Sequence, residues 1–324
     1  MFKLPKILKT TAAVCTALLL AGGQVAHAQS QRPITLVVPF SPGGSADVSG
    51  RTAAMGMEKV LGQTIVVENK PGASGMIGAA AVAQAAPDGN TLYLTTDSTE
   101  SNPTVDPAKV KEIFSKLEPL ASIADAPLVL ATATSFPANS VPELIEHAKS
   151  SGKPLTYAIP GVGTTHQLAG AVLAEATGIQ LTAVPYRGTS ATIADVVSGV
   201  VDLAFGNVPS IQPMVEAGKL KILAVTSLER YKLAPNLPTI SETVPGFDLG
   251  VNLGLMVPAG TPPERKAQLA DAVRQALEME EVRQLLNAQG LEPAVRSLDE
   301  YGAYLKRLGE ERRPVYERLG IKPN

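Results

Sequence analysis

The chain has 324 residues, of which 45% are hydrophobic and 18% charged, and its formal net charge is −2. This length accommodates one large domain or two of medium size. A mildly acidic chain without basic runs argues against nucleic acid and anionic membrane surfaces as partners. Because tryptophan is absent, a sugar site built on stacked aromatic rings is also disfavoured.

The first predicted element is an export signal at residues 1–28. Lys3, Lys6 and Lys9 form a basic segment, Thr11–Ala21 is a short apolar run, and Ala26-His27-Ala28 fits the small-x-small rule. The apolar run is too short to span a bilayer, so we expect cleavage after Ala28 and a periplasmic location. Removing these 28 residues, with their three lysines, leaves 296 residues and a net charge of −5.

After the signal, short β-rich runs alternate with helical patterns, which predicts an α/β fold of mainly parallel sheets flanked by helices. One sheet or two lobes would both fit. We favour two lobes, because two glycine-rich turns lie far apart and each precedes its own series of strands and helices. The expected lobes are 29–126 with 253–324, and 127–252. The expected strands are Ile34–Pro39, Thr64–Glu68, Thr91–Thr95, Leu128–Ala131, Leu155–Ala158, Leu181–Val184, Leu203–Phe205, Ile222–Thr226 and Leu253–Val257.

Three expected helix starts have Ser or Thr followed three residues later by Glu, the pattern of a capping box. These pairs are Ser140 with Glu143, Thr261 with Glu264, and Ser297 with Glu300. The last helix has an apolar face that predicts packing against a core. This face comprises Tyr301, Tyr304, Leu305 and Leu308.

The first glycine-rich turn, in LVVPFSPGGSAD, follows an apolar strand and precedes a helix. Backbone N–H groups at a helix N-terminus lack partners and face the positive end of the dipole, so such a turn can bind an anion. The candidate ligand-binding residues are Phe40, Ser41, Gly43, Gly44, Ser45 and Asp47. A tight turn without a ligand is the alternative for the glycine pair. Asp47 is expected to brace the loop or to receive a ligand ammonium group.

The second glycine-rich turn, in TYAIPGVGTTHQLAG, has the same strand–turn–helix setting in the other half of the chain. Its candidate ligand-binding residues are Gly161, Gly163, Thr164, Thr165 and His166. It does not fit the dinucleotide-binding fingerprint, because His166 replaces the third glycine. His166 is expected either to be hydrogen-bonded into the loop or to face a ligand. A metal site is not expected, because no acidic cluster accompanies this histidine.

Four further candidates lie in loops at strand ends, where open α/β sheets bind their ligands. They are Ser74, Ser98, Arg187 and Asn207. An arginine in such a loop could pair with a carboxylate through two hydrogen bonds.

Enzyme signatures are absent from the sequence. We find no G-x-S-x-G, no H-E-x-x-H and no phosphate-binding G-x-x-x-x-G-K-S/T motif. The only cysteine, Cys15, lies in the export signal, which leaves the mature chain without a disulfide or thiol nucleophile. We therefore expect a binding protein without a cofactor. The alternative is an exported two-lobed hydrolase that acts on an anionic ester, with His166 or Asp47 as base.

Six blocks in order resemble the solute receptors of tripartite tricarboxylate transporters, also called Bug receptors. They are RPITLVVPFSPGGSAD, VVENKPGASGMIGAAAVAQAAPDGNTLYL, YAIPGVGTTHQLAG, AVPYRGTSATIADVVSGVVDLAF, KILAVTSLER and GLMVPAGTPPE. The resemblance implies a type II-like periplasmic binding protein with a ligand cleft between two α/β lobes. It also implies that amides of the loops Phe40–Asp47 and Gly161–His166, with ordered water, hold a ligand carboxylate.

The same resemblance implies the partners. They are a small organic carboxylate and the membrane subunits of a transporter, or alternatively a sensor kinase, and the receptor itself is expected to be a monomer. The segment Ser98–Lys116 departs from the usual leucine and tyrosine pattern of the family after Asn102-Pro103. This departure leaves the identity of the carboxylate open.

Overall fold

The computed structural model describes residues 32–42, 45–96, 106–186 and 189–320. The described residues from Ile34 onward belong to one compact unit. The predicted export signal at 1–28 lies outside the described residues. Among the described helices, none is both long enough and apolar enough to cross a bilayer.

Strands and helices alternate along the compact unit. In chain order, the strands are β1 (Ile34–Val38), β2 (Ile65–Asn69), β3 (Thr91–Thr96), β4 (Leu117–Pro127), β5 (Val129–Ala133), β6 (Leu155–Ile159), β7 (Leu181–Pro185), β8 (Leu203–Gly206), β9 (Leu220–Val225), β10 (Gly250–Pro258) and β11 (Glu292–Pro293). The helices are α1 (Ser45–Leu61), α2 (Met76–Ala83), α3 (Pro107–Phe114), α4 (Val141–Ser151), α5 (Thr165–Thr177), α6 (Thr189–Val197), α7 (Val208–Glu216), α8 (Pro263–Glu278), α9 (Glu280–Ala288) and α10 (Leu298–Arg318).

The strands form two sheets that share one topology. The first sheet has the order β11-β4-β10-β3-β1-β2 and the second has the order β7-β6-β8-β5-β9. In each sheet the first of the three parallel strands in chain order (β1 or β6) lies between the other two. An antiparallel strand, β10 or β5, lies beside β3 or β8, and it is the strand that the chain enters from the other sheet. Strand β4 or β9 lies on its far side. Two sheets flanked by helices confirm the predicted two-lobed α/β fold.

Most strands of each sheet point the same way, as predicted, and the exceptions are β10 and β11 in the first sheet and β5 in the second. The chain leaves the first sheet at the carboxyl end of β4 and enters β5 directly, at the edge where β6 and β8 end. A strand that starts where its neighbours end must run antiparallel to them. The same holds for β10 on the return to the first sheet.

Hydrogen bonds of Thr226, which follows β9, join the two connections between the sheets. The Leu128 N–H donates to Thr226 Oγ1 (2.8 Å), and the Thr226 N–H donates to the Leu128 carbonyl (2.9 Å). The Leu249 N–H donates to the Thr226 carbonyl (2.9 Å), and the Thr226 hydroxyl donates to the Leu249 carbonyl. Both connections are therefore hydrogen-bonded to the same buried residue. The lobe limits 29–126 with 253–324, and 127–252, remain a proposal.

Helices cover both faces of each sheet. In the first sheet, Met57 of α1 and Leu269 of α8 belong to the core on one face, and Val82 of α2 belongs to the core on the other. In the second sheet, Leu173 of α5 and Ile211 of α7 belong to cores on opposite faces. Strands buried on both faces have continuous apolar sequences, which explains why the apolar runs located them.

The nine expected strands are confirmed, with ends shifted by a few residues. Two of the three expected caps are also correct: Ser297 forms a capping box with Glu300, and Ser140 caps α4. The third is wrong, because α8 begins at Pro263 and Thr261 donates to the Pro258 carbonyl (2.7 Å) instead.

Candidate functional site

The candidate site lies at the carboxyl ends of the parallel strands in both sheets. The parallel strands β2 and β3 flank β1 on opposite sides, and β7 and β8 flank β6 in the same way, so a topological switch point lies between β1 and β3 and another between β6 and β8. Ligands of open α/β sheets bind outside the carboxyl ends of strands at such points. The loops after β1 and β6, which are the two predicted glycine-rich turns, leave the sheets at these positions.

The turn after β6 is held in shape by its own side chains. Thr164 is the N-cap of α5; its hydroxyl donates to the Gly161 carbonyl (2.8 Å) and accepts from the Gln167 N–H. Gly163 has φ of +79°, a conformation that favours glycine. The Gly163 N–H donates to Gln167 Oε1 (2.8 Å). The Gly163 amide therefore already has an acceptor within the loop, and contact of this residue with a ligand stays a prediction.

The residues that follow Thr164 lie at the start of α5. Thr165 and His166 are the first two residues of α5, and N–H groups in this position have no intrahelical acceptor and lie at the positive end of the helix dipole. Both side chains are buried. At Gly161 an added Cβ would meet, among the described residues, only Thr164 Cγ2 at 3.7 Å, so this part of the structure leaves space in front of the turn.

In the turn after β1, Asp47 braces the loop. Its carboxylate is buried and accepts from Arg51 Nε (3.1 Å) and Asn69 Nδ2 (2.8 Å). The same amide of Asn69 also donates to the Phe40 carbonyl (3.0 Å), which ties the end of β2 to the turn. Of the two roles expected for Asp47, these contacts support bracing. Phe40 is half-buried, and Ser41 is exposed.

Six candidate ligand-binding residues lie outside the described residues or are described by their backbone alone. Gly43, Gly44, Ser98 and Arg187 lie outside the described residues. The backbone of Ser45 begins α1, and that of Ser74 lies in the 3-10 turn Ala73–Gly75. For the described part of the chain, no group of three or more His, Cys, Asp or Glu side chains could hold a metal ion.

Asn207 has a buried acceptor, its Oδ1 atom, at the carboxyl ends of the same strands in the second sheet. It follows β8 and precedes α7, and its side chain does not cap that helix. Among the described residues, its Oδ1 atom has no hydrogen-bond partner although it is buried. Ala158 of β6 is aligned with Ala204 of β8, so Gly161 and Asn207, each three residues further on, leave adjacent strands at the same level. A buried acceptor without a donor costs about 1–3 kcal/mol, which a ligand donor would recover.

Sequence reasoning missed the residues that support the turns. Gln167 and Asn69 hold backbone groups of the two turns, and Arg312 and Tyr316 reach the second turn from α10. The position of Gln167, four residues after Gly163 in the first turn of a helix, offers a weak signal. Arg312 and Tyr316 lie about 150 residues away and have none.

Tyr157 of β6 supports α5 from the core. Its hydroxyl donates to the Gln167 carbonyl (3.0 Å), and its ring lies so close to Gly170 that an added Cβ there would be 2.3 Å from Tyr157 Cε2. Burial raises the pKa of Tyr157 to about 12.

The raised pKa of Tyr157 predicts a loss of stability in alkali. The unfolded chain releases this proton near pH 10 and the folded chain near pH 12, so the contribution is complete below pH 10 and disappears as the pH rises to 12. We expect the free energy of unfolding to fall by about 2–3 kcal/mol more in the wild type than in Tyr157→Phe over this range. Urea denaturation between pH 9 and pH 12 measures it, and parallel curves would contradict this assignment.

Two α/β lobes with turns at the switch points of both sheets define a two-lobed solute-binding protein. Residues 50–321 match the model of the tripartite tricarboxylate transporter family receptor, and the chain belongs to this family. The resemblance seen in the sequence is thereby confirmed. A relative, protein BugT of Bordetella pertussis, is 31% identical over 277 residues, which cover 85% of this chain and 85% of that protein.

Solved structures of similar proteins have the same fold. The periplasmic binding protein BugD is 31% identical with a TM-score of 0.76, covering 90% of this chain and 99% of that one. Rpa4515 of R. palustris, solved with adipate, is 31% identical with a TM-score of 0.78 and coverage of 90% and 98%. MatC of Rhodopseudomonas palustris, solved with bound malate, is 30% identical with a TM-score of 0.72 and coverage of 87% and 98%. The family and these relatives are receptors and binding proteins rather than enzymes.

Proposed function

We propose that this chain is a periplasmic receptor that binds a small organic carboxylate in the cleft between its lobes and delivers it to the membrane subunits of a tripartite transporter. The observation that carries the proposal is the position of the two turns. Both leave the carboxyl ends of strands at the switch points of their sheets, and each leads directly into a helix. The adipate and malate in the relatives support the same ligand class.

The proposed contacts are hydrogen bonds from backbone amides to one carboxylate. In the second turn the donors are the N–H groups of Thr165 and His166, at the start of α5. In the first turn they are amides of Gly43, Gly44 and Ser45, of which the glycines lie outside the described residues. Each charge-assisted bond contributes about 1.5–3 kcal/mol, and micromolar affinity corresponds to about −8 kcal/mol. Closure of the lobes over the solute would form both sets together.

Asn207 narrows the proposed class of solute. Its Oδ1 needs a donor, which a carboxylate does not supply but a hydroxyl or ammonium group does. We therefore favour an acid that carries a hydroxyl or ammonium group near the bound carboxylate. A site that is built to pair with such a group discriminates strongly against the analogue that lacks it, because its own polar group then stays buried and unpaired.

Thermal unfolding with four solutes tests this function. Malate, succinate and adipate carry carboxylates, succinate lacks the hydroxyl of malate, and malamide is the neutral diamide of malate. A solute that binds the folded state raises Tm by mass action. We expect malate to raise Tm more than succinate, and malamide to leave Tm unchanged. In Asn207→Ala the preference for malate over succinate should vanish. A rise in Tm with malamide equal to that with malate would contradict carboxylate recognition.

The remaining parts of the proposal concern processing and partners. We propose cleavage after Ala28, a monomeric receptor without a cofactor, and delivery to transporter subunits rather than to a sensor kinase. We also propose that the protein is not an enzyme. Mass spectrometry of the exported protein measures the cleavage site, and co-purification from membranes identifies the partner. Turnover of an anionic ester by the pure protein, lost in His166→Ala, would favour the hydrolase alternative.

A further inference from the structure

Helix α10 contacts the first sheet and a helix that covers the second sheet. Near its start, the buried Tyr301 donates from its hydroxyl to Asn252 Oδ1 (3.1 Å) in β10. Near its end, Arg318 forms two hydrogen bonds with the Glu175 carboxylate of α5 (2.6 and 2.8 Å). The helix thus runs from the returning strand of the first sheet to the helix that begins at the second turn.

Between these ends, two buried side chains of α10 reach the second turn itself. Arg312 is 5% exposed; its Nη2 donates to the Gly250 carbonyl at the start of β10 (3.0 Å), and its Nη1 donates to Thr165 Oγ1 (3.5 Å). Tyr316 is 1% exposed, and its hydroxyl donates to the Gly163 carbonyl (3.3 Å). Both contacts end on residues that flank the Thr164 cap.

The Tyr316 contact fixes the direction of an amide. In a planar trans peptide the carbonyl and the N–H point in opposite directions. The Gly163 carbonyl faces Tyr316, so the N–H of Thr164 in the same peptide points away from α10. The next peptide towards the N-terminus is fixed as well, because the Gly163 N–H is held by Gln167. The orientation of the turn thus depends on Tyr316 and Gln167.

The contact of Arg312 places a positive charge beside the start of α5. Its guanidinium is always protonated and lies beside the first residue of α5, where the helix dipole is also positive. Charges interact more strongly in a buried setting than in water. The guanidinium therefore raises the local potential for an anion without being exposed to solvent.

We propose that Arg312 and Tyr316 are positioning residues for the solute: Tyr316 orients the amides of the second turn, and Arg312 makes the start of α5 more attractive to a carboxylate. This proposal rests on the proposed function, because it assumes that the turn binds the solute. Neither residue needs to touch the solute, since both act from behind the turn.

Four variants test the proposal: Arg312→Gln, Arg312→Lys, Tyr316→Phe and Arg318→Gln. The first removes the charge and the second keeps it, while Arg318→Gln is a matched control that breaks a contact between the same two helices. The probe for calorimetric titration is whichever of malate, succinate and adipate raises Tm most. We expect Arg312→Gln and Tyr316→Phe to weaken affinity about tenfold, Arg312→Lys to recover part of the loss, and Arg318→Gln to stay within about twofold.

A measurement without solute separates this proposal from the proposed function. Hydrogen exchange of residues 160–168 should be faster in Tyr316→Phe than in the wild type and unchanged in Arg318→Gln. If the wild type bound none of the three acids, the proposed function would fail, while the exchange rates would still decide whether α10 holds the turn. Wild-type affinity in Arg312→Gln, or wild-type exchange in Tyr316→Phe, would overturn the positioning role.

Discussion

Replacing Gly161 with leucine is expected to lower the affinity for the carboxylate by at least about a hundredfold while the protein remains folded. Among the residues that the structure describes, only Thr164 Cγ2, at 3.7 Å, lies near the position of an added Cβ, so these residues leave room for a side chain. That side chain would occupy the space in front of α5 and keep a carboxylate from the amides of Thr165 and His166. Loss of two charge-assisted hydrogen bonds, at about 1.5–3 kcal/mol each, corresponds to this factor.

Gly161 is a better test than Gly163, because any side chain at Gly163 would strain a backbone with φ of +79°. Gly309 provides the control, since nothing lies within 4 Å of an added Cβ there and it is remote from the turn in sequence. Calorimetric titration with malate or adipate measures the affinity, and Tm reports folding. Unchanged affinity in Gly161→Leu, with Tm also unchanged, would remove the second turn from the binding site.

Replacing Gly254 with valine is expected to cost about 3 kcal/mol or more of unfolding free energy. Gly254 lies in β10, between β3 and β4, where the strand cannot shift without breaking both ladders. An added Cβ would lie 1.9 Å from Tyr301 Oη and 2.8 Å from the Ala121 carbonyl oxygen. The tyrosine ring therefore packs directly on this glycine, and the helix that carries it would be displaced.

Urea denaturation measures the effect of Gly254→Val, with Gly302→Ala as control. An added Cβ at Gly302 in α10 meets only Pro119 Cγ, at 3.9 Å, so this variant should be neutral or slightly stabilising. The double variant Gly254→Val with Tyr301→Ala should lose less stability than the sum of the single variants, because the ring no longer collides with the new side chain. A loss below about 1 kcal/mol for Gly254→Val would show that α10 does not pack as described.

The sequence predicted the strands well for a physical reason. Strands covered by helices on both faces have continuous apolar runs, and nine of them were located this way. Strand β4 was missed, and its first part carries Glu118 and Pro119, which suit a loop. In the fold, the Glu118 carboxylate pairs with Lys266 of α8, a partner that the local sequence does not reveal. The antiparallel direction of β5 and β10 was not predicted, because it depends on where the chain crosses between the sheets.

The turns of the candidate site could be found from the sequence, but the roles of individual residues could not. A glycine-rich strand–turn–helix pattern locates a turn at the carboxyl end of a strand. The acceptor of the Gly163 amide depends instead on the conformation of Gln167. Asp47 was expected to brace the turn, with a ligand ammonium group as the alternative, but the sequence did not show that Asn69 and Arg51 are its partners. Helical periodicity showed that α10 has a buried face, but not that its end reaches the second turn.

The most direct test is a crystal structure of the complex with the acid that raises Tm most. We expect one carboxylate of that acid to lie between the two turns, with its oxygens about 2.7–3.0 Å from the amide nitrogens of Thr165 and His166. Amides of the turn after β1 should approach the same carboxylate from the other lobe, and a donor of the solute should meet Asn207 Oδ1. A carboxylate bound away from both turns, with the first amides of α5 facing only water, would contradict the proposed receptor site.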